Sequence, residues 1–358
     1  MKVKIEKRTY TSEGKTYLFY IIFLATGLFF SSLLFLTRGI NPFRALYGII
    51  IGSFGSFYGL KETIAKAIPL ILCGTGLVIA FKGKFWNIGA EGQLLLGAVA
   101  ATYIALKFGG SGSRPFVLTL MFLAGFAGGA IWGIITVILK IKFGVNEIIS
   151  TLMLNYIAAN FVQFLVFGPW KGRTQYGFPY TDNFQPAATL PLIKGSRIHY
   201  LTLIIAILLS IASFFFINRT RYGYETKVLG ENPDAAKYSG INFLKTMVLI
   251  MILSGGFAGI AGVGEVAGIH HHLTFPDQIS AGYGYTAIIV AWLSRLNPLF
   301  VLLSALFFGG ILIGGDIIQT SLGLPFATIN IFNGLILLFV LLGTFLMEYK
   351  VSIIREKI

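Results

Sequence analysis

The residues of this 358-residue chain best suited to chemistry are polar groups set inside apolar runs. The stretch "FWNIGAEGQLLLG" places Asn87, Glu91 and Gln93 between two apolar segments, with Gly89 and Gly92 among them. Asn87 can cap the helix that follows, with Glu91 in its positive first turn. The alternative is a broken helix whose amides and carboxylate line a cavity, where irregular backbone is tolerated at membrane depth. The residues leave both open. A carboxylate at the bilayer centre costs at least about 2.5 kcal/mol, so Glu91, if deep, must face water, a partner or a solute. In "VNEIISTLMLNYIAANFVQF", Glu147, Thr151, Asn155 and Gln163 fall at i, i+4, i+8 and i+16, on one helical face among bulky apolar residues. Such a stripe looks away from lipid, either bonding between helices or lining a path. Asp316, Gln319, Asn330 and Asn333 pose the same choice near the end of the chain.

The elements that must position these groups are membrane helices. The chain is 56% hydrophobic and 12% charged, with 43 Gly and 33 Phe, whereas a soluble domain carries about 25% charged residues. A bilayer core about 30 Å thick takes about 20 apolar helical residues. On that measure spans are expected near 17–37, 63–81, 92–107, 115–139, 147–167, 198–217, 245–264, 281–294, 298–316 and 327–347. The expected fold is all-α: a polytopic bundle of about ten helices, in two halves of about five parted by an external loop at 168–197. The first apolar stretch is too long for a signal-peptide core of about 7–15 residues and reads as a retained helix. With the N-terminus inside, 18 of the 28 Lys and Arg residues fall on inner segments, which puts both termini on the cytoplasmic side of the plasma membrane. The expected organisation is a cytoplasmic tail at 1–16, one membrane domain at 17–348 with an inner segment at 219–245, and a cytoplasmic tail at 349–358.

Other chemistries are disfavoured. The net charge of +14 is scattered between apolar runs, without the basic block of a nucleic-acid binder. The single cysteine, Cys73, supports neither a disulfide nor a thiol metal site. His270, His271 and His272 follow Glu265, but neighbours on a helix point apart and no further ligand completes the spacing, so no metal is expected. No Ser-His-Asp or Cys-His arrangement stands out, and no catalytic residue is assigned. No G-x-x-x-x-G-K-[ST] phosphate loop occurs, so the chain is not an ATPase and binds no cofactor of its own. "GFAGGA" at 125–130 and "GFAGIA" at 256–261 place Gly125, Gly129, Gly255 and Gly259 at small-xxx-small spacing, expected to serve close helix packing.

The most polar inner segment carries a full set of helix signals. Asn232 suits the cap, Pro233 the first position, Asp234 the first turn and Gly240 the left-handed position past the end. They define a helix of about seven residues, roughly 10 Å long, outside the membrane. Ala235 and Ala236 are small enough to enter a close groove. Such a helix is a natural docking element for a soluble partner.

"NIGAEGQLLLGA", "NEIISTLMLNYIA", "GENPDAAKYSGI", "YGYTAIIVAWLSRLNPL" and "NGLILLFVLLGTF", in this order across about 60–347, resemble the permease subunits of the ABC importer superfamily for branched-chain amino acids, simple sugars and nucleosides. The "NIGAEGQ" form is closest to the guanosine, or purine-nucleoside, permeases. The resemblance implies a pair of permease subunits, often two related but different chains, docked on a cytoplasmic ATPase that uses the ATP and fed by an extracytoplasmic solute-binding lipoprotein. It makes Gly230, Glu231, Asn232, Pro233, Asp234, Ala235, Ala236 and Gly240 the coupling helix. Asn87, Glu91, Gln93, Glu147, Thr151, Asn155, Gln163 and Asn333 are the expected substrate pathway. A purine nucleoside is the expected solute and a simple sugar the second, with Phe85 and Trp86 suited to stacking on a base. The rival is an ion-coupled secondary transporter, for which Glu91, Glu147 and Glu265 would be the titratable groups.

Overall fold

The computed structural model describes residues 2–7 and 13–354; Arg8 of the expected N-terminal tail and residues 355–358 of the expected C-terminal tail lie outside the described residues. The chain is built of helices: α1 (Glu13–Ser32), α2 (Pro42–Phe54), α3 (Phe57–Lys82), α4 (Ala90–Phe108), α5 (Arg114–Phe143), α6 (Glu147–Phe167), α7 (Tyr200–Arg219), α8 (Arg221–Glu231), α9 (Pro233–Tyr238), α10 (Phe243–Gly264), α11 (Pro276–Ser280), α12 (Tyr283–Leu293), α13 (Pro298–Leu322) and α14 (Phe326–Glu348). One antiparallel pair, β1 (Lys2–Lys7) with β2 (Tyr349–Ile354), joins the terminal segments, Lys2 opposite Ile354.

Every expected span falls on a helix, but the count of about ten spans is not borne out. Among the described residues six helices are long and apolar enough to cross a membrane: Phe57–Lys82, Arg114–Phe143, Glu147–Phe167, Tyr200–Arg219, Phe243–His270 and Pro298–Leu322. The span expected at 281–294 holds only the 11 residues of α12, about 16 Å of helix or half a bilayer core. Conversely, α2 was not expected, although its start is written plainly: Asn41 accepts the Phe43 N–H at 2.9 Å and Pro42 takes the first helical position.

Two compact units divide the chain, one from Met1–Thr63 with Gly310–Ile358, the other from Ile64–Gly309. In the first, α1 packs along α14, with Phe30 stacked on Phe339 at 5.5 Å and Phe35 against Phe332 at 5.1 Å. In the second, α4, α5 and α10 form the centre. Glycine decides that packing: a Cβ at Gly259 would fall on the Gly125 carbonyl, and one at Gly129 on the Gly255 carbonyl. The two small-xxx-small pairs thus face each other, and backbone approach replaces side-chain interdigitation.

Past Gly264 the α10 helix runs into a π-helical turn, Glu265–His270. The long loop 168–199 is stitched across this turn. Leu190 donates its N–H to the Ala267 carbonyl at 2.8 Å, Phe184 to the His271 carbonyl at 2.7 Å and Thr181 to the Leu273 carbonyl at 3.0 Å. Left-handed backbone at non-glycine residues occurs at His271, directly after the turn, and farther on at Ala281, Arg295 and Leu296. Residues with such φ persist only where the surroundings hold them, often at functional segments.

Candidate functional site

The break between α3 and α4, residues 83–89, is the hub of a buried polar network. Asn87 Nδ2 donates to Gln93 Oε1 at 3.0 Å and Gln93 Nε2 donates back to Asn87 Oδ1 at 3.1 Å. Asn87 also donates to the Ser254 hydroxyl of α10 at 3.0 Å and accepts the Gly89 N–H at 2.9 Å. Asn87 is therefore not the cap of α4. Gly89 holds that position, because the Asn87 carboxamide is spent on Gln93 and on a local turn.

From α6, Thr151 Oγ1 accepts the Ile88 N–H at 3.2 Å. Asn155 accepts the Gly92 N–H at 2.9 Å and donates to the Ile88 carbonyl at 2.9 Å and the Tyr285 hydroxyl at 3.2 Å. Glu91 stands in the first turn of α4 and accepts the N–H groups of Gly282 and Gly284 at 3.2 and 2.7 Å. One carboxylate thus serves the N-termini of two helices, where both dipoles favour a negative charge. Gly284 permits it, since a Cβ there would fall on the Glu91 backbone. Asn87, Glu91, Gln93, Thr151 and Asn155 are all buried, and all have partners.

The remaining expected path residues lie elsewhere. Glu147 pairs with Lys140 at 2.8 Å, tying the end of α5 to the start of α6. Gln163 is exposed on α6, two turns beyond Asn155, so the stripe splits into a buried part and an exposed end. Asn333 belongs to the other unit, its Oδ1 buried without a partner among the described residues. Phe85 is wholly buried, with Lys140 Nζ 4.9 Å from its ring centre, while Trp86 is 41% exposed and stacks on Trp292 at 5.7 Å. Ser254, Tyr285 and the Gly282 and Gly284 amides were not foreseen, because each partner is far away in sequence.

The second cluster is α8 and α9. Asn232 accepts the Asp234 and Ala235 N–H groups, both at 3.1 Å, Pro233 opens the helix, and Gly240 is left-handed at φ 72°. All four start and stop signals are realised. Ala236, expected to enter a partner's groove, is instead 1% exposed within the chain itself, whereas Tyr238 is 93% exposed. Beside α8 a cleft of about 440 Å³ is lined by Arg221, Glu225 and Lys245, with Arg221 and Glu225 paired at 2.7 Å.

Among the described residues no three His, Cys, Asp or Glu side chains converge as metal ligands. His270 Nε2 lies 3.1 Å from the Gln278 carbonyl and His271 Nδ1 lies 3.1 Å from the Ala267 carbonyl. In the long loop the Thr174 hydroxyl and amide bond the Asp182 carboxylate at 2.6 and 3.1 Å and hold it below its usual range.

A family model described as the branched-chain amino acid transport system / permease component matches residues 59–341. Over 331 residues the chain is 34% identical to the glucose ABC transporter permease protein TsgB13 of Haloferax volcanii, covering 89% of this chain and 85% of that one. It is 32% identical over 326 residues to the guanosine ABC transporter permease protein NupP of Bacillus subtilis, covering 89% and 91%. It is also 29% identical over 264 residues to the guanosine ABC transporter permease protein NupQ of the same organism, covering 70% of this chain and 79% of that one.

Proposed function

This chain belongs to the family of branched-chain amino acid transport permease components and is a membrane permease subunit of an ABC transporter, and on that premise we propose that it imports a hydroxyl-rich neutral solute, a purine nucleoside first and a simple sugar second. The observation that carries this reading is the near full-length match to permeases named for guanosine and for glucose. ATP is hydrolysed on a separate chain. A second, related permease completes the pathway, a reading supported by the match of both NupP and NupQ to this one chain. An extracytoplasmic lipoprotein delivers the solute, and both termini face the cytoplasm. The membrane domain spans 17–348, with residues 219–245 on the cytoplasmic side.

In this reading the network of Asn87, Glu91, Gln93, Thr151 and Asn155 frames the path by fixing α4, α6, α10 and α12 to one another. Glu147 and Gln163 contribute at its edges, and Asn333 is a pathway candidate within its own unit. Residues 230–240 form the coupling helix, supported by the rigid capped turn and by the exposed Tyr238.

The test uses proteoliposomes holding the permease pair and its ATPase. Uptake of labelled guanosine should require ATP and be competed by unlabelled nucleoside, and Tyr238→Ala should leave permease levels normal while ATPase co-purification falls at least tenfold. Uptake driven by an ion gradient without ATP, or full coupling in Tyr238→Ala, would contradict the reading.

A further inference from the structure

Glu265 opens the π-helical turn after α10 and is 4% exposed. Unlike Glu91, its carboxylate enters none of the hydrogen bonds or ion pairs found among the described residues. The positive charges that act on it are those of Lys66 on α3 and Arg197 in the long loop, and the same two cations act on His270 at the other end of the turn. Its own charge and that of Glu91 both reach the buried thiol of Cys73. A buried carboxylate in a membrane helix is an expensive feature kept for a purpose. π-helical turns, too, recur at functional sites.

The back of the same turn carries more unmet polar capacity. The His199 ring packs against Gly264 and Gly268, where a Cβ would meet it at 3.1 and 2.8 Å. Neither ring nitrogen has a hydrogen-bond partner among the described residues, nor has the neighbouring Thr202 hydroxyl, although both residues are fully buried. Buried polar groups in folded proteins are nearly always bonded. The Glu91 network obeys that rule, and the Glu265 turn departs from it.

We propose that the Glu265 carboxylate is a solute-binding anchor that accepts hydrogen bonds from two neighbouring hydroxyls of a neutral polyol, the vicinal diol of a ribose or a sugar ring. This rests on the proposed function and narrows it. A carboxylate is an acceptor only, with two oxygens side by side, and its charge strengthens each bond it accepts. Adjacent ring hydroxyls offer two donors with the same spacing. A cationic solute is disfavoured by the charges of Lys66 and Arg197, and an anionic one by the carboxylate itself. The free amino acid of the family's descriptive name, with its ammonium group, fits less well than a neutral diol.

A double cycle tests this in the reconstituted complex. Uptake of a purine nucleoside and of its 2′,3′-dideoxy analogue is compared in wild type and Glu265→Gln, with the shorter Glu265→Asp as a control that keeps the charge. We expect Glu265→Gln to lower nucleoside uptake at least tenfold, to change analogue uptake less than twofold, and Glu265→Asp to retain part of the diol preference. Equal loss for both solutes, or wild-type uptake of both in Glu265→Gln, would overturn the anchor while leaving the proposed function standing. A wild-type complex that imports neither nucleosides nor sugars would overturn the function, and the anchor with it.

Discussion

Glu91 and Glu265 are buried carboxylates in one unit, 7% and 4% exposed. Around Glu91 the polar groups have partners: two amides at the start of α12 donate to its carboxylate, and the amides of Asn87, Gln93 and Asn155 close on one another and on the backbone. Around Glu265 the cations act from Lys66 and Arg197, while His199 and Thr202 behind the turn keep unmet bonding capacity. Burial is therefore no guide to role, because a satisfied carboxylate fixes helices and an unsatisfied one is available to a solute.

The largest effect should come from removing the satisfied carboxylate. Glu91→Ala strands the buried Gly284 N–H and the part-buried Gly282 N–H, and with charged hydrogen bonds worth about 1.5–3 kcal/mol each the melting temperature of the purified protein should fall by roughly 10 °C. A Glu91→Ala protein that melts like wild type but no longer transports would place Glu91 with Glu265 and dissolve the contrast. Next comes Asn155→Leu, which removes an acceptor for Gly92 and a donor to Ile88 and Tyr285 at nearly constant shape. A loss of about 2–4 kcal/mol is expected from thermal melting.

Glu265→Gln should behave oppositely. Replacing the carboxylate with a neutral group of equal size relieves its desolvation but also removes its attraction to Lys66 and Arg197, so the melting temperature should change by no more than roughly a few degrees while uptake falls. A drop comparable to that of Glu91→Ala would mean that Glu265 is structural after all.

The smallest effect sharpens the comparison from the aqueous side. Asp182 also captures two donors of one residue, the Thr174 hydroxyl and amide, but in an exposed loop. Its carboxyl is held below the usual range, first by the Thr174 hydroxyl and then by the Thr174 amide. A lowered folded value contributes stability above the unfolded pKa of about 3.9 that is lost as pH falls through the folded one. Protection of the Thr174 amide from hydrogen exchange, corrected for intrinsic rates, should be flat from pH 7 to 5 and decline below about 4. Protection that increases on acidification would reverse the assigned sign.

Much of this architecture was legible in the residues. Apolar runs located the long helices, Asn232, Pro233, Asp234 and Gly240 bounded α9, and the glycine pairs at 125/129 and 255/259 announced close packing. These are local signals, carried within a few positions of what they specify. The polar residues were legible only as a list. Whether Asn155 lines a path or holds Gly92 and Ile88 depends on partners more than sixty residues away, and Glu91 answers to Gly282 and Gly284 nearly two hundred residues on. The π-helical turn leaves no periodic signature, so Glu265 falls just past the end of an expected span and is weighed only as a titratable group of an ion-coupled transporter. Ala236 misled because small size suits a groove on a partner and a groove on the chain itself equally well.

The contrast is tested most directly by thiol accessibility during transport. In a Cys73→Ala background, single cysteines at Glu265 and Thr151 are exposed to a small water-soluble thiol reagent in the reconstituted, ATP-supplied complex, with and without saturating nucleoside. Glu265→Cys should be modified, and nucleoside should slow that modification several-fold, while Thr151→Cys, sealed in the Glu91 network, should stay unmodified in both conditions. Modification of Thr151→Cys that nucleoside protects, with Glu265→Cys inert, would contradict the account.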